Sequence, residues 1–327
     1  ITSESVIGCD LELEGIAGLS ALAMSLPGVT ITPWTTSPKS PLPISKPEKI
    51  PDWISLQDNT QAIIFFADPF STPITRLLPA LVNCRGEEEP LPVIGGMASG
   101  ASTAMYNRLI LDDHEMRSGG IGLTISGQLD FDCIVSQGCR PIGNPMRVTK
   151  VEGNVILELG GRPAVEVLHD LAGNLEPHER SLLKGGLLLG GVIDENKDHF
   201  GRGDFLVRSI LGIDRKREGM AAGEFDRLGK TVQFQVRDEQ TAVEDLQLLL
   251  EAQQLHTQPF AGLLVTCNGR GRNLFHVEDH DLSIIRDRIG EVPIAGFFAA
   301  GEIGPIGGRS FLHGHTACLT LFRSKHD

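Results

Sequence analysis

Two stretches far apart in this chain, residues 91–98 (LPVIGGMA) and 292–299 (VPIAGFFA), share one pattern, and each closes the same βα order. In the first, residues 61–67 form a short, continuous apolar run that ends at Asp68-Pro69, which reads as a strand buried on both faces. Residues 73–84 follow with Ile74, Leu77, Leu78 and Leu81 at helical spacing, and residues 92–96 read as the next strand. In the second, residues 261–266 are a strand, 279–289 an amphipathic helix capped by Asp279 and stopped by Gly290, and 293–298 the returning strand. Each copy then runs into a glycine-rich stretch and a β-rich tail, 119–127 in one and 311–322 in the other. This pattern predicts an α/β protein in two parts, with mixed β-sheets flanked by helices and an internal duplication of a β-α-β-β module. Unrelated βαβ crossovers within one α/β protein would give similar matches.

Between the copies lies a β-rich bridge. Residues 131–137, 146–152 and 154–159 read as strands, and 162–171 and 176–183 as helices. Further strands are expected at 187–194, 205–212 and 231–237, and a long helix at 239–254. The 327 residues suit about two domains, and the expected division is 1–160 and 161–327. Val6-Ile-Gly-Cys9 resembles Val93-Ile-Gly-Gly96, so it reads as the returning strand of a βα unit whose outgoing strand lies outside the sequence; the first domain is expected to be truncated at its start.

Composition narrows the function. There are 29 basic and 42 acidic residues, a net charge of −13 with no Lys/Arg run, so a phosphate backbone or an anionic membrane is repelled. Neither nucleic acid nor membrane is expected as a partner. No apolar stretch approaches the ~20 residues of a membrane span, and the first ten residues lack the pattern of a signal peptide. With aromatics at 5% and a single tyrosine, Tyr106, a stacking platform for RNA or sugar is disfavoured. Six scattered cysteines without a CxxC pair point to free thiols in the cytoplasm. No metal or other cofactor is expected.

Four motifs place chemistry on glycine-rich backbone. Residues 138–143 (GCRPIG) put Cys139 and Arg140 between Gly138 and Gly143 in a turn, where Arg140 could hold a carboxylate or pair with an internal acid. Residues 267–272 (CNGRGR) sit where a strand should end; Asn268 and Arg270 there fit an anion-holding loop or a structural turn. Leu274 stands where a dinucleotide fingerprint needs its third glycine. Residues 301–305 (GEIGP) surround Glu302 with little side chain, so it either meets a ligand's ammonium or hydroxyl or pairs with a cation such as Arg309. His313 and His315 alternate about Gly314 and would share one face of a strand, able to pair with Cys267 or Cys139 as nucleophile and base, or to serve structure alone. Two decoys fail. The calcium-like run from Asp194 has His199 and Phe205 where Gly and Glu are required, and Arg202-Gly-Asp204 has meaning only in an exported protein.

In this order the motifs resemble those of the FIST domain family, over essentially the whole chain. The N-terminal part matches at Val6-Ile-Gly-Cys9, Asp68-Pro69-Phe70, Val93-Ile-Gly-Gly96 and 137–143, and the C-terminal part at 201–205, 267–271, 300–305 and 313–316. Ala300 stands where the family often carries a polar residue. The resemblance implies a stand-alone small-ligand-binding sensory protein in signal transduction, with a FIST N-terminal and a FIST C-terminal domain, and it supplies no catalytic residues.

The expected ligand is a carboxylate-bearing metabolite such as an amino acid, held in a pocket shared by both parts where the four motifs converge. Arg140 would be its fixed cation and Glu302 its fixed anion, and an unidentified signalling partner protein would read the result. A hydrolase or transferase using Cys139 or Cys267 with His315, and an interaction scaffold, are the alternatives.

Overall fold

The computed structural model describes residues 1–8, 10–183, 186–201, 203–223 and 228–325. The chain divides into two compact units, Ile1–Ser136 with Leu246–Asp327, and Gln137–Asp245. In chain order the first unit opens with β1 (Val6–Gly8), β2 (Leu11–Leu13), β3 (Val29–Thr36), α1 (Ile50–Trp53), β4 (Thr60–Ala67), α2 (Ile74–Val82) and β5 (Val93–Met97). It continues with β6 (Leu109–Leu111), β7 (His114–Met116), β8 (Gly120–Gly127) and β9 (Leu129–Ser136). The second unit holds β10 (Cys139–Glu152), β11 (Val155–Leu159), β12 (Arg162–Pro163), α3 (Ala164–Asn174), α4 (Pro177–Leu182) and β13 (Leu187–Val192). After β14 (Phe205–Asp214), β15 (Gly219–Ala222) and β16 (Thr231–Arg237), α5 (Glu239–Gln253) returns the chain to the first unit. There follow β17 (Ala261–Cys267), α6 (Arg272–Phe275), α7 (His280–Ile289), β18 (Ile294–Ala299), β19 (Glu302–Ile306), β20 (Arg309–His313) and β21 (Ala317–Ser324).

The first unit carries the duplication in its strand order. One sheet runs β20-β19-β5-β4-β8-β3 and the other β2-β1-β18-β17-β21-β9. In each, a parallel pair joined through a helix (β4 with β5, β17 with β18) is flanked by an antiparallel strand (β8, β21) and then by an edge strand (β3, β9). The two copies are therefore β3-β4-α2-β5-β8 and β9-β17-α7-β18-β21. The second unit is inserted into the latter, between β9 and β17.

Both central strands are buried on two faces, as their unbroken apolar runs predict. Ile63, Phe65 and Ala67 meet α2 through Leu77, Leu78 and Leu81. On the opposite face, Ile64 joins Ile94 and Ile125 against Ala261, Leu129 and Phe322 of the other sheet, and the Phe66 and Phe297 rings meet edge to face at 5.7 Å. Leu264, Ile294 and Leu319 turn outward to Leu282 and Ile285 of α7 and Leu246 and Leu250 of α5. Helix, sheet, sheet and helix thus form successive layers.

Matched glycines make the parallel pairs possible. Gly95 opposes Phe65 and Gly296 opposes Leu264. A Cβ at either would stand 2.1 Å or 1.8 Å from the carbonyl oxygen of Phe65 or Leu264. The sequence expectation fails at the start of the chain: β1 runs antiparallel to β18 and forms a hairpin with β2, so residues 6–8 are not a returning βα strand; Cys9 lies outside the described residues. The corresponding edge of the other sheet is covered by the β19–β20 hairpin, with Glu302 opposite Gly96.

In the second unit the sheet runs β10-β16-β13-β14-β15-β11-β12, and β10 also pairs with β11. Six of these strands therefore close on themselves, which removes their edges. Ile142, Leu189, Met220, Val232 and Phe234 share one core with Ala164 and Val167 of α3.

Candidate functional site

Ligands in α/β folds gather where parallel strands end and their order reverses. In the first unit the C-terminal ends of all four parallel strands meet. The Met97 amide donates to the Gly301 carbonyl, and the Ala300 amide donates back to Met97. Ala98 donates to Ala67, Asn268 to Ala299, and Cys267 to Thr316. Gly96 permits this approach, since a Cβ there would lie 2.7 Å from Val265 and 3.0 Å from the Gly301 carbonyl oxygen.

Glu302 stands at this junction, at the start of β19, with no exposure to solvent. Its Oε2 accepts from the Thr316 amide at 3.2 Å and from the Thr316 hydroxyl at 2.7 Å. Burial pushes its pKa up to about 8, against the opposing pull of Thr316, the nearby Arg270 cation and the Cys267 thiol. At neutral pH the group is mostly a neutral acid. Oε2 accepts both Thr316 bonds, and the Cys267 thiol also hydrogen-bonds to the carboxyl. Burial thus works against the fixed anion expected for an ammonium.

Arg270 is also fully buried, in the loop between β17 and α6. Its Nε and Nη2 each donate to Asp281 at 2.8 Å, a bidentate pair, and its guanidinium lies 5.1 Å from the centre of the Phe275 ring. Asp281 takes a further bond from the Thr266 hydroxyl at 3.1 Å, and His280 Nδ1 is 3.2 Å away. Burial alone would raise the Asp281 carboxyl, but the charge and hydrogen bonds of Arg270, together with His280, hold it below the usual carboxylate range. Asp279 does not cap α7 with its side chain; it accepts from the Glu12 amide at 2.5 Å. Glu12 instead reaches the helix start and accepts from the Leu282 amide at 2.8 Å. Burial, with the neighbouring Asp281 charge, lifts the Glu12 pKa to about 8.

Three of the four motifs therefore come together. Residues 267–272, 301–305 and 313–316 share the cluster through the Cys267–Thr316, Thr316–Glu302 and Glu302–His313 contacts. His313 is buried and its Nε2 lies 2.8 Å from the Gly304 carbonyl oxygen. The expected shared face of His313 and His315 fails, because β20 ends at His313 and His315 takes a left-handed backbone with φ 67°. Asn268 donates to Glu4 at 3.3 Å. Arg309 bonds the Asn83 side chain and the Glu87 carbonyl instead of Glu302.

The fourth motif belongs to the second unit. Gly138 and Gly143 both have positive φ, 62° and 65°, but residues 139–143 open the long strand β10 and do not form a compact turn. Arg140 approaches Asp238 at 3.2 Å and Glu179 at 3.7 Å, and Cys139 is buried beside Leu188 and Phe205. Arg202 of the 201–205 motif lies outside the described residues. Sequence reasoning missed Thr316 as the partner of Glu302, and missed Asp281, Thr266 and Glu12 altogether. A carboxylate two positions into a helix, with an arginine in the preceding loop, was the available signal for Asp281.

This is a duplicated α/β module with a polar cluster buried at its strand ends, and sequence comparison places it in a family. Residues 3–162 match the FIST N domain and residues 164–305 the FIST C domain. The chain belongs to the FIST family, whose domains are in general sensory domains of signal transduction. It is 45% identical over 264 residues to an uncharacterized protein of Mycobacterium tuberculosis strain H37Rv, covering 79% of this chain and 67% of that one. An uncharacterized Mycobacterium bovis protein is 46% identical over 261 residues, with the same coverage. A third, from Methanocaldococcus jannaschii, is 31% identical over 86 residues, 26% of this chain and 17% of its own. The family-domain boundary near residue 163 differs from the structural division, in which residues 137–245 form the inserted unit. No helix among the described residues is long and apolar enough to cross a membrane.

Proposed function

We propose that the chain is a small-ligand sensory module that recognises a carboxylate-bearing metabolite, such as an amino acid, at the converging strand ends around Glu302. The supporting observation is the fully buried Glu302 carboxyl at the junction of the strand ends, whose pKa burial raises to about 8, so that it is mostly protonated near pH 7. A neutral acid in an apolar interior donates to an anion without repelling it. Arg270, nearby and locked to Asp281, adds a fixed dipolar pair and no loose charge. Asn268 and His313 border the same cluster, and a partner protein would read the change in packing that a ligand imposes. Arg140, Gly138 and Gly143 remain candidate ligand contacts, and so do Arg309 and His315.

The test is a thermal-shift screen at pH 7 of amino acids and short hydroxy and keto acids, each beside its uncharged amide. A ligand at 100 times its Kd adds about 2.7 kcal/mol of stability, so acids should raise the melting temperature where their amides do not. In Glu302→Leu, with the donor removed, affinity should fall about 10- to 150-fold, the equivalent of a 1.5–3 kcal/mol charge-assisted bond. Amides as effective as acids, or a Glu302→Leu protein that folds and binds normally, would refute the proposal.

A further inference from the structure

The first unit holds a cavity of about 480 Å³ at the turn from β4 into α2. Its walls come from Pro38, Pro41 and Leu42 on the segment after β3, and from Phe70, Pro73 and Leu77 on the segment entering α2. No lining residue carries a charge. Three of the twelve lining residues are prolines, which bring no backbone donor. The polar groups present are already engaged. Thr72 donates to the Gly119 carbonyl at 3.0 Å, and Ser71 donates to Asp68 at 2.6 Å while accepting from the Gly119 amide at 2.8 Å. The Thr36 hydroxyl accepts from the Leu42 amide at 3.0 Å.

The duplication sharpens the point. The matching turn after β17 is filled by the protein's own side chains, Arg270 on Phe275 and Phe275 stacked on His280 at 3.3 Å. The turn after β4 holds no such plug and leaves ligand-sized space, since binding pockets run to roughly 300–1,000 Å³. Apolar cavities with satisfied walls take apolar guests, as an engineered cavity takes benzene.

We infer that this cavity is a binding site for a small, uncharged, apolar molecule, aromatic or branched aliphatic, separate in place and chemistry from the Glu302 cluster. A charged ligand finds no counter-charge among the lining residues and loses its hydration on entry. The inference stands or falls independently of the carboxylate reading.

The two tryptophans of the chain report on the site directly. Trp34 lies on β3 two residues before Thr36, stacked on Phe65 at 5.6 Å, and Trp53 donates to the Thr35 carbonyl at 3.4 Å. The experiment is quenching of tryptophan emission in the whole chain by bromobenzene, a neutral heavy-atom probe, with benzoate as its charged counterpart. Expected is saturable quenching by bromobenzene at one site and at least tenfold weaker binding of benzoate. Phe70, 46% exposed at the cavity wall, permits a charge to be introduced there without disturbing the core. Phe70→Glu should retain the wild-type melting temperature and weaken bromobenzene at least tenfold. Pro38→Glu, on the exposed opposite wall, should act the same way and covers the case in which the first variant misfolds. Linear, unsaturable quenching, equal binding of benzoate, or unchanged affinity in a folded variant would each overturn the inference.

Discussion

Glu302 and Glu12 are both carboxylic acids held neutral by burial, and that has a consequence for stability. For each, the folded pKa of about 8 lies above the ordinary 4.5. A raised carboxyl pKa means the folded chain holds a proton that the unfolded chain has released. Their stabilising effect is therefore complete below about pH 4.5 and is lost as the pH climbs to about 8. Over that window each group contributes a slope of about −1.4 kcal/mol per pH unit. Denaturant unfolding between pH 5 and 9 should show the decline, and Glu302→Gln should reduce its steepness by about one proton's worth; an unchanged slope would place Glu302 as ionised. Arg270 and Asp281 behave differently, as a buried bidentate pair. Arg270→Met leaves Asp281 charged and unmatched, at a cost of about 3–5 kcal/mol. Removing both charges in Arg270→Met/Asp281→Asn should recover a good part of that loss in the same unfolding assay.

The duplicated module rests on Gly95 and Gly296, each facing a carbonyl of the neighbouring parallel strand. Gly296→Ala should lower stability by about 3 kcal/mol or more, in the upper range of single substitutions. Gly314→Ala, with open space around its Cβ, should stay within about 0.5 kcal/mol. Thermal unfolding of the two variants distinguishes a true close approach from mere glycine abundance. The two βαβ units were legible in the sequence because strands buried on both faces form unbroken apolar runs, and their helices carry clear spacing. The edges were not. β3 (VTITPWTT) carries Pro33, which marks an edge strand and masks it at once. The β19–β20 hairpin pairs with β5 of the other copy, and closure of the second unit's sheet depends on β10 meeting β16. Both are long-range pairings that no local periodicity encodes. The same limit applies at the site: glycine-rich motifs marked the strand ends, whereas Asp281 and Glu12 reach Arg270 and α7 only through the folded packing.

At the scale of the whole molecule, the chain is a duplicated two-sheet unit that carries an inserted closed sheet, with one of its two strongly raised carboxyls at the meeting point of four strand ends. A net charge of −13 makes general electrostatic capture of anions unfavourable, so a carboxylate ligand depends on a local donor. That donor exists only while Glu302 keeps its proton. The decisive measurement is the Kd of the strongest carboxylate found in the thermal-shift screen, followed by calorimetry from pH 6 to 9.5 in the wild-type protein and in Glu302→Gln. Affinity should be flat below about pH 8 and then fall about tenfold per pH unit as Glu302 ionises. Glu302→Gln, which keeps a neutral donor that cannot titrate, should bind with little change across the range. An affinity that stays level through pH 9.5 in the wild-type protein, or the absence of any carboxylate that binds, would contradict a carboxylate sensor built on Glu302.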